Sequence, residues 1–440
     1  MMNSTITAIA TPPGRGAIAI IRVSGPESIK AYKFLTNSKT KPVPNIIKPI
    51  WIYEGDSKLD QPMMVYFQSP KSFTGEDMLE IHCHGSVIIQ NKIISLLNDI
   101  GIVPAKPGEF SERAYYNGKI DIAQAEAIME LVASENSNVA KLATRQLAGE
   151  FSKKIAEIRN DLTALASQVA ADMDFSEEDI PSIGTEVISS QISAALAKLH
   201  LVQASSEILP KLREGVHVAL VGLPNAGKST LMNSLLGYER SIVTEIAGTT
   251  RDTVTESVEI SGVTYHFTDT AGLNDRPDLV EKIGIQKTTD ALKSADIILL
   301  LIEPGSKKKT IEYLKDNNLS EYLDDKKTIT IGTKSDISTS EKISISAKTG
   351  AGIAELIKHI GKYNSVATSG NLQVLTMRQL NILSRVEQTL VSLQDNSLAL
   401  TNDVISSEIQ AAISDLNELT GDQATSQIID SIFRNFCIGK

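Results

Sequence analysis

One octapeptide narrows the folds open to this chain more than any other feature. Gly222-Leu223-Pro224-Asn225-Ala226-Gly227-Lys228-Ser229 fits the pattern G-x-x-x-x-G-K-[ST], and it stands between the apolar, β-branched run Val216 to Val221 and a helical stretch from Thr230 to Leu236. A strand that enters a glycine turn and then a helix aims successive backbone N–H groups at one point, which makes a cradle for a polyphosphate. Lys228 adds a point charge for the β- and γ-phosphates, and the Ser229 hydroxyl is placed to reach Mg2+. A glycine turn without a ligand would leave Lys228 unexplained.

The chain has 440 residues, enough for about three domains at one per ~150 residues. Residues from Ile6 to about Lys119 mix short β-rich runs (Ala17 to Val23, Met63 to Phe67, Met78 to Cys83) with helical stretches at Pro26 to Leu35 and Ser86 to Leu97, an α+β pattern. From Ile122 the texture is alanine-rich helix. Phe151, Ile155, Ile158, Leu162, Leu165 and Val169 recur at spacings of four and three, so one apolar stripe runs along a long amphipathic helix. The break Ser176 to Pro181 and a second helix near Glu186 to Ile208 follow. Strand and loop signals occupy Val216 to about Ile360. Helical stripes then resume at Leu380, Leu383, Val386, Leu390 and Leu393, and at Ile405, Ile409, Ile413, Leu416 and Leu419. This order predicts an α/β unit inserted into a helical bundle, though two unrelated helical segments fit the pattern too.

The longest apolar run, Ile297 to Ile302, is far short of the ~20 residues that span a bilayer and reads as a buried parallel strand. Two cysteines, Cys83 and Cys437, exclude a disulfide framework and favour a reducing cytoplasm, and no leader or anchor is expected. The net charge of −10 argues against a chain-wide nucleic-acid surface, so any RNA contact needs a local patch.

Four landmarks follow the phosphate loop in the order a guanine-nucleotide switch requires. Gly248-Thr249-Thr250-Arg251-Asp252 places a threonine, Thr250 by our assignment, where its hydroxyl can meet Mg2+. Asp269-Thr270-Ala271-Gly272 ends the alternating run Thr264 to Thr268, with the aspartate beside the metal and the Gly272 amide near the γ-phosphate. In Thr333-Lys334-Ser335-Asp336, after the strand Thr328 to Ile331, Asp336 can accept from the guanine N1–H and 2-amino group while Lys334 packs over the base. Ser346-Ala347-Lys348 offers a backbone amide to the 6-oxo group. Each string alone is common; together they make GTP the nucleotide. Thr333 stands where asparagine is usual, which weakens the expected brace on the phosphate loop. Leu273 stands where Ras-like switches carry a water-orienting glutamine, so another group must place the nucleophile. On the residues alone Glu281, in the helical run Pro277 to Leu292, reads as a solvated helix acid.

Three further stretches resemble one family, the bacterial and organellar tRNA modification GTPases called MnmE or TrmE. They are Ala10-Thr11-Pro12-Pro13-Gly14-Arg15-Gly16 through Arg22-Val23-Ser24-Gly25, then Ser72-Phe73-Thr74-Gly75-Glu76-Asp77, and the closing Phe436-Cys437-Ile438-Gly439-Lys440. The resemblance implies a multidomain α/β architecture: a tetrahydrofolate-binding and dimerisation domain over 1–119, a discontinuous helical domain over 120–214 and 364–440, and an inserted Ras-like P-loop GTPase domain over 215–363. It implies a K+-dependent, Mg2+-dependent GTPase. With a flavoprotein partner, MnmG (GidA), in a heterotetramer or larger complex, such a homodimer builds an aminomethyl-type group on C5 of the tRNA wobble uridine, with 5-formyl- or 5,10-methylene-tetrahydrofolate as the one-carbon source. By motif, Asn225 and the switch run Thr244-Glu245-Ile246-Ala247-Gly248-Thr249 would hold K+, with Asn225, Thr244, Ile246 and Thr249 as ligands; oxygen donors suit that hard cation. Glu281 aligns with the glutamate that orients attacking water, and Arg251 with a switch residue that supports activity. Arg22, Glu80, Lys119 and Lys440 align with the folate site, where a carboxylate such as Glu80 can take two N–H bonds from a pterin edge.

Cys437 has two readings, a small buried hydrophobe between Phe436 and Ile438 or a thiol that acts as nucleophile or base. His82-Cys83-His84 offers too few ligands for zinc and reads as a strand with one packed face. Lys307-Lys308-Lys309 reads as a solvated loop or an RNA contact. Against the modification enzyme stand a GTP-gated switch for ribosome or membrane assembly and a folate-dependent one-carbon transferase regulated by GTP.

Overall fold

In this computed structural model the described residues are 4–134, 136–174, 184–204, 213–238, 255–269, 288–323, 327–339, 341–362, 372–396, 399–437 and 439. The break at Ser176 to Pro181 lies outside them. Two units emerge. One comprises residues 1–129, 144–200 and 376–440; the other comprises 130–143 and 201–375.

The first unit opens with the strands β1 (Ile6–Ile9), β2 (Ile18–Ser24), β3 (Lys48–Pro49), β4 (Ile52–Glu54), β5 (Ser57–Asp60), β6 (Met63–Phe67), β7 (Met78–His84) and β8 (Val103–Pro104). Among the described residues six of them form one sheet in the order β3-β6-β7-β2-β1-β8, while β4 and β5 pair separately. The β2–β7 register places Arg22 opposite Glu80 and Ile21 opposite Ile81. Side chains alternate across a strand, so Ile21, Val23, Leu79 and Ile81 enter the core with 0% exposure while Arg22, Glu80 and His82 share the opposite face. The helices Ser28–Thr36 and Val87–Asp99 cover the apolar face through Ala31, Leu35, Ile93 and Leu97. Near this core Trp51 carries the Lys58 ammonium 4.4 Å from its ring centre.

The helical part of this unit follows the stripes that the sequence predicts. Phe151, Ile155, Ile158, Leu162, Leu165 and Val169 on the helix Glu150–Asp174 are each at most 1% exposed. That helix packs on Asn402–Thr420, which packs in turn on Met377–Asn396. Each buried aliphatic or aromatic side chain contributes roughly 1.5–3 kcal/mol, so the stripe and not helix propensity holds the bundle. At the base of the bundle Glu126, on the helix Ile122–Ala133, accepts from Arg378 Nη2 (2.8 Å), Arg378 Nε (2.9 Å) and Gln379 Nε2 (2.6 Å).

The second unit is built on β9 (Val216–Gly222), β10 (Thr255–Ile260), β11 (Val263–Asp269), β12 (Ile297–Ile302), β13 (Thr328–Gly332) and β14 (Ile343–Ser344), in the order β10-β11-β9-β12-β13-β14. Only the β10–β11 pair is antiparallel among these described strands. All six residues of β12 are buried, the pattern of a parallel strand covered on both faces. Residues 130–143 belong to this unit: Val139 joins its core, and Ser137 Oγ donates to Glu259 at 2.5 Å.

Candidate functional site

In the second unit the strands β9, β12 and β13 deliver the predicted motifs to one end of the parallel sheet. Gly222 closes β9; a Cβ there would stand 2.7 Å from Leu301 O, so only glycine lets the chain turn against β12. Asn225 takes the left-handed backbone with φ 64 and lies exposed on the loop. The helix Lys228–Tyr238 then begins with the two residues that carry the chemistry. Lys228 is 5% exposed and donates to Gly222 O (2.8 Å) and Leu223 O (3.0 Å), and its burial pushes the ammonium pKa below the usual lysine value. Ser229 Oγ donates to Asp269 Oδ2 at 2.7 Å, which joins the phosphate loop to the end of β11. A hydroxyl and a carboxylate that meet in this way fit a divalent cation between or beside them.

Beside that loop is a cleft of about 390 Å3 lined by Gly227, Thr230, Thr333, Lys334, Asp336, Ile337, Ile345, Ser346, Ala347 and Lys348. The volume lies in the range of small-molecule pockets, roughly 300–1,000 Å3. Residues more than a hundred positions apart in sequence therefore share one wall-to-wall site. Ser346 is 1% exposed, and Ser234 Oγ donates to Ala347 O at 2.7 Å, which ties the third motif to the helix after the phosphate loop. A hydrogen bond from Ser346, then the charges of Lys348 and Lys334, holds the Asp336 carboxyl below its ordinary value, so it is an acceptor at working pH. Thr333 is 4% exposed and turns its hydroxyl toward Ile302 O at 3.5 Å, along β12. Sequence reasoning missed three members of the site, Ile337, Ile345 and Glu303. Ile337 is 73% exposed at the cleft, and Glu303 binds Lys334 Nζ at 2.6 Å; an isoleucine directly after the aspartate in a polar loop was the available signal for the first.

Thr244, Glu245, Ile246, Ala247, Gly248, Thr249, Thr250, Arg251, Thr270, Ala271, Gly272, Glu281 and Lys440 lie outside the described residues.

The first unit gathers a second group of predicted residues. Arg22 Nε donates to Glu80 Oε1 at 2.9 Å, and Arg22 Nη1 donates to Gly439 O at 3.3 Å. The guanidinium also stands 5.8 Å from the Phe73 ring centre. Gly439 has φ 92, and a Cβ there would lie 2.6 Å from Ile9 O, so the closing residues fit against β1 only with glycine at this position. His82 Nε2 lies 3.1 Å from the second Glu80 oxygen, which leaves Glu80 engaged on both sides. Lys119 Nζ donates instead to Pro70 O at 2.9 Å. Cys437 is exposed, which overturns the buried-hydrophobe reading; Phe436 beside it takes a core position, at 6%. Cys83 is 1% exposed, and its thiol is pushed up to about 11, chiefly by burial. His84 Nδ1 lies 2.6 Å from Asp60, and among the described residues no group of three histidine, cysteine or carboxylate side chains is placed to hold a metal.

The chain is similar to known proteins along its whole length. The family model for the GTP-binding protein TrmE N-terminus matches residues 5–119, and that for the MnmE helical domain matches residues 122–437. The tRNA modification GTPase MnmE of Natranaerobius thermophilus is 35% identical over 466 residues, covering 100% of each chain. That of Legionella pneumophila strain Paris is 37% identical over 452 residues, again over 100% of both. Among solved structures, the G domain of the T. maritima FeoB iron transporter is 26% identical and covers 34% of this chain and 98% of its own, at a TM-score of 0.26.

Proposed function

The chain belongs to the MnmE (TrmE) family of tRNA modification GTPases, and from that premise we propose that it hydrolyses GTP to drive the modification of the tRNA wobble uridine at C5. The observation that carries this reading is the single cleft shared by the phosphate loop and both base-reading motifs. Backbone N–H groups around Gly227 and the Lys228 ammonium take the phosphates. Asp336 accepts from the guanine edge, which adenine cannot satisfy, and Ser229 and Thr250 would ligate Mg2+ with Asp269 beside it. A K+ ion held here would supply positive charge to the phosphates, the task of an arginine finger worth ~10³–10⁵ in rate elsewhere, or about 4–7 kcal/mol. Asn225 would hold that ion together with Thr244, Ile246 and Thr249, Glu281 would orient water, and Arg251 would support the switch.

In the amino-terminal sheet, Arg22 and Glu80 form the centre of a tetrahydrofolate site completed by Lys119 and Lys440, with the Cys437 thiol exposed. Each Glu80 oxygen keeps a second lone pair beside its contact with Arg22 or His82, which can take a pterin edge, and the basic residues suit the acidic tail of folate. Residues 1–119 also form the dimer, residues 120–214 and 364–440 the helical domain, and residues 215–363 the GTPase domain, except that residues 130–143 pack with the GTPase unit. The homodimer works in the cytoplasm with a flavoprotein of the MnmG class; among the described residues no helix is long and apolar enough to cross a membrane.

Nucleoside analysis of tRNA from cells with and without this chain tests the reading: the aminomethyl-type group on wobble uridine disappears without it. Unchanged uridines would leave only a GTP-gated switch. At the nucleotide site, K+ stimulates hydrolysis well above Na+, and Asn225→Ala removes the difference; equal turnover in the two salts refutes the ion's role.

A further inference from the structure

Glu303 follows β12 directly, and its carboxylate holds the Lys334 ammonium at 2.6 Å, with the two side chains 26% and 42% exposed. Lys334 is a non-glycine residue in the left-handed region, φ 55, a conformation that persists only where neighbours fix it. Three backbone bonds do so: Thr333 N to Ile302 O (2.9 Å), Ser335 N to Ile345 O (3.0 Å) and Ile337 N to Lys334 O (2.9 Å). With the backbone fixed at one end and the ammonium at the other, the methylene stem is tethered between them at the cleft that Lys334 lines. Thr333 directs its hydroxyl to Ile302 O, so in this chain β12 and the residue after it carry the bracing of the base motif.

We propose that Glu303 is a positioning residue of the nucleotide site: it anchors the Lys334 ammonium and thereby presents the lysine stem as the surface on which the face of the base lies. This rests on the guanine-nucleotide reading of the cleft. Chemistry separates it from two other routes. Asp336 reads the 2-amino group, which inosine lacks, whereas a wall beneath the ring plane serves guanine and hypoxanthine alike. Glu303 also lends its negative field to Lys228, and an effect through that route would be independent of Lys334.

The test is calorimetric titration of GDP and IDP into the full chain, the Glu303→Gln and Lys334→Ala variants and the double variant, with melting curves recorded for each. Glu303→Gln weakens both nucleotides by the same factor, about two- to five-fold, and leaves their ratio unchanged. In the Lys334→Ala background it adds nothing. Wild-type affinity in Glu303→Gln, an altered GDP-to-IDP ratio, or a full additive loss in the double variant overturns the proposal. A wild-type chain that binds GDP no better than ADP fails the parent reading instead, and is recognised before any variant is compared.

Discussion

Lys228 shows how one side chain is prepared for its ligand at the expense of its own charge. Burial disfavours the ammonium, and two carbonyls at 2.8 and 3.0 Å hold it in place. Its pKa in the nucleotide-free protein lies below that in the unfolded chain, ~10.4. Between those two values the unfolded chain binds more protons, so the stability of the empty protein rises with pH across that window. Nucleotide affinity moves the other way, because phosphate needs the protonated form, and it declines on titration through the depressed value. Lys228→Ala lowers GDP affinity by about 10- to 100-fold, as expected for a hydrogen bond to a charged group, in calorimetric titration at neutral pH. The thiols make a second residue-scale case. Cys83 is buried with a pKa raised to about 11, whereas Cys437 is exposed. Iodoacetamide at neutral pH therefore adds one label to the native chain, at Cys437, and a second after denaturation; mass spectrometry reads both, and early loss of Cys83 contradicts the packing described.

At the scale of elements, the clamp on the Ile122–Ala133 helix concentrates most at one carboxylate. Glu126 is 7% exposed and satisfies Arg378 and Gln379 at the start of the Met377–Asn396 helix, so Glu126→Ala leaves a guanidinium without its buried partner. A loss of about 3–5 kcal/mol in urea unfolding is expected. The helices themselves were legible: a stripe at spacings of three and four is a local pattern, and Phe151 to Val169 are buried as read. The phosphate loop was legible for the same reason, since strand, glycine turn and helix are contiguous. What the sequence hid were pairings between distant elements. Nothing near Glu126 points to Arg378, and nothing near Glu303 points to Lys334, because a lone acid on a helix or after a strand reads as solvated until its partner is placed. The Arg22–Glu80 pair lies between these cases: strand alternation puts each on a polar face, but only the β2–β7 register sets them opposite one another.

Across the whole molecule, hydrophobic cores are separate. One is built from β9 to β14 and their helices; others lie beneath the amino-terminal sheet and around Phe433 and Phe436. Two thermal transitions are expected in scanning calorimetry. GDP at about 100 times its dissociation constant raises the one belonging to residues 201–375 by about 2.7 kcal/mol of stability, and a reduced folate raises the other. A single transition shifted equally by both ligands contradicts independent cores. The interruption of the bundle by an α/β unit was visible in the order of the patterns, yet the membership of residues 130–143 in that unit was not, because Val139 looks like any helix hydrophobe until its neighbours are known. The sequence holds a single tryptophan, Trp51, beside the sheet of the amino-terminal unit with a lysine ammonium over its indole. Indole emission, excited at the red edge where the ten tyrosines do not absorb, is thus a private signal of the amino-terminal unit: its quenching or colour shift reports on the surroundings of Trp51 and Lys58 alone.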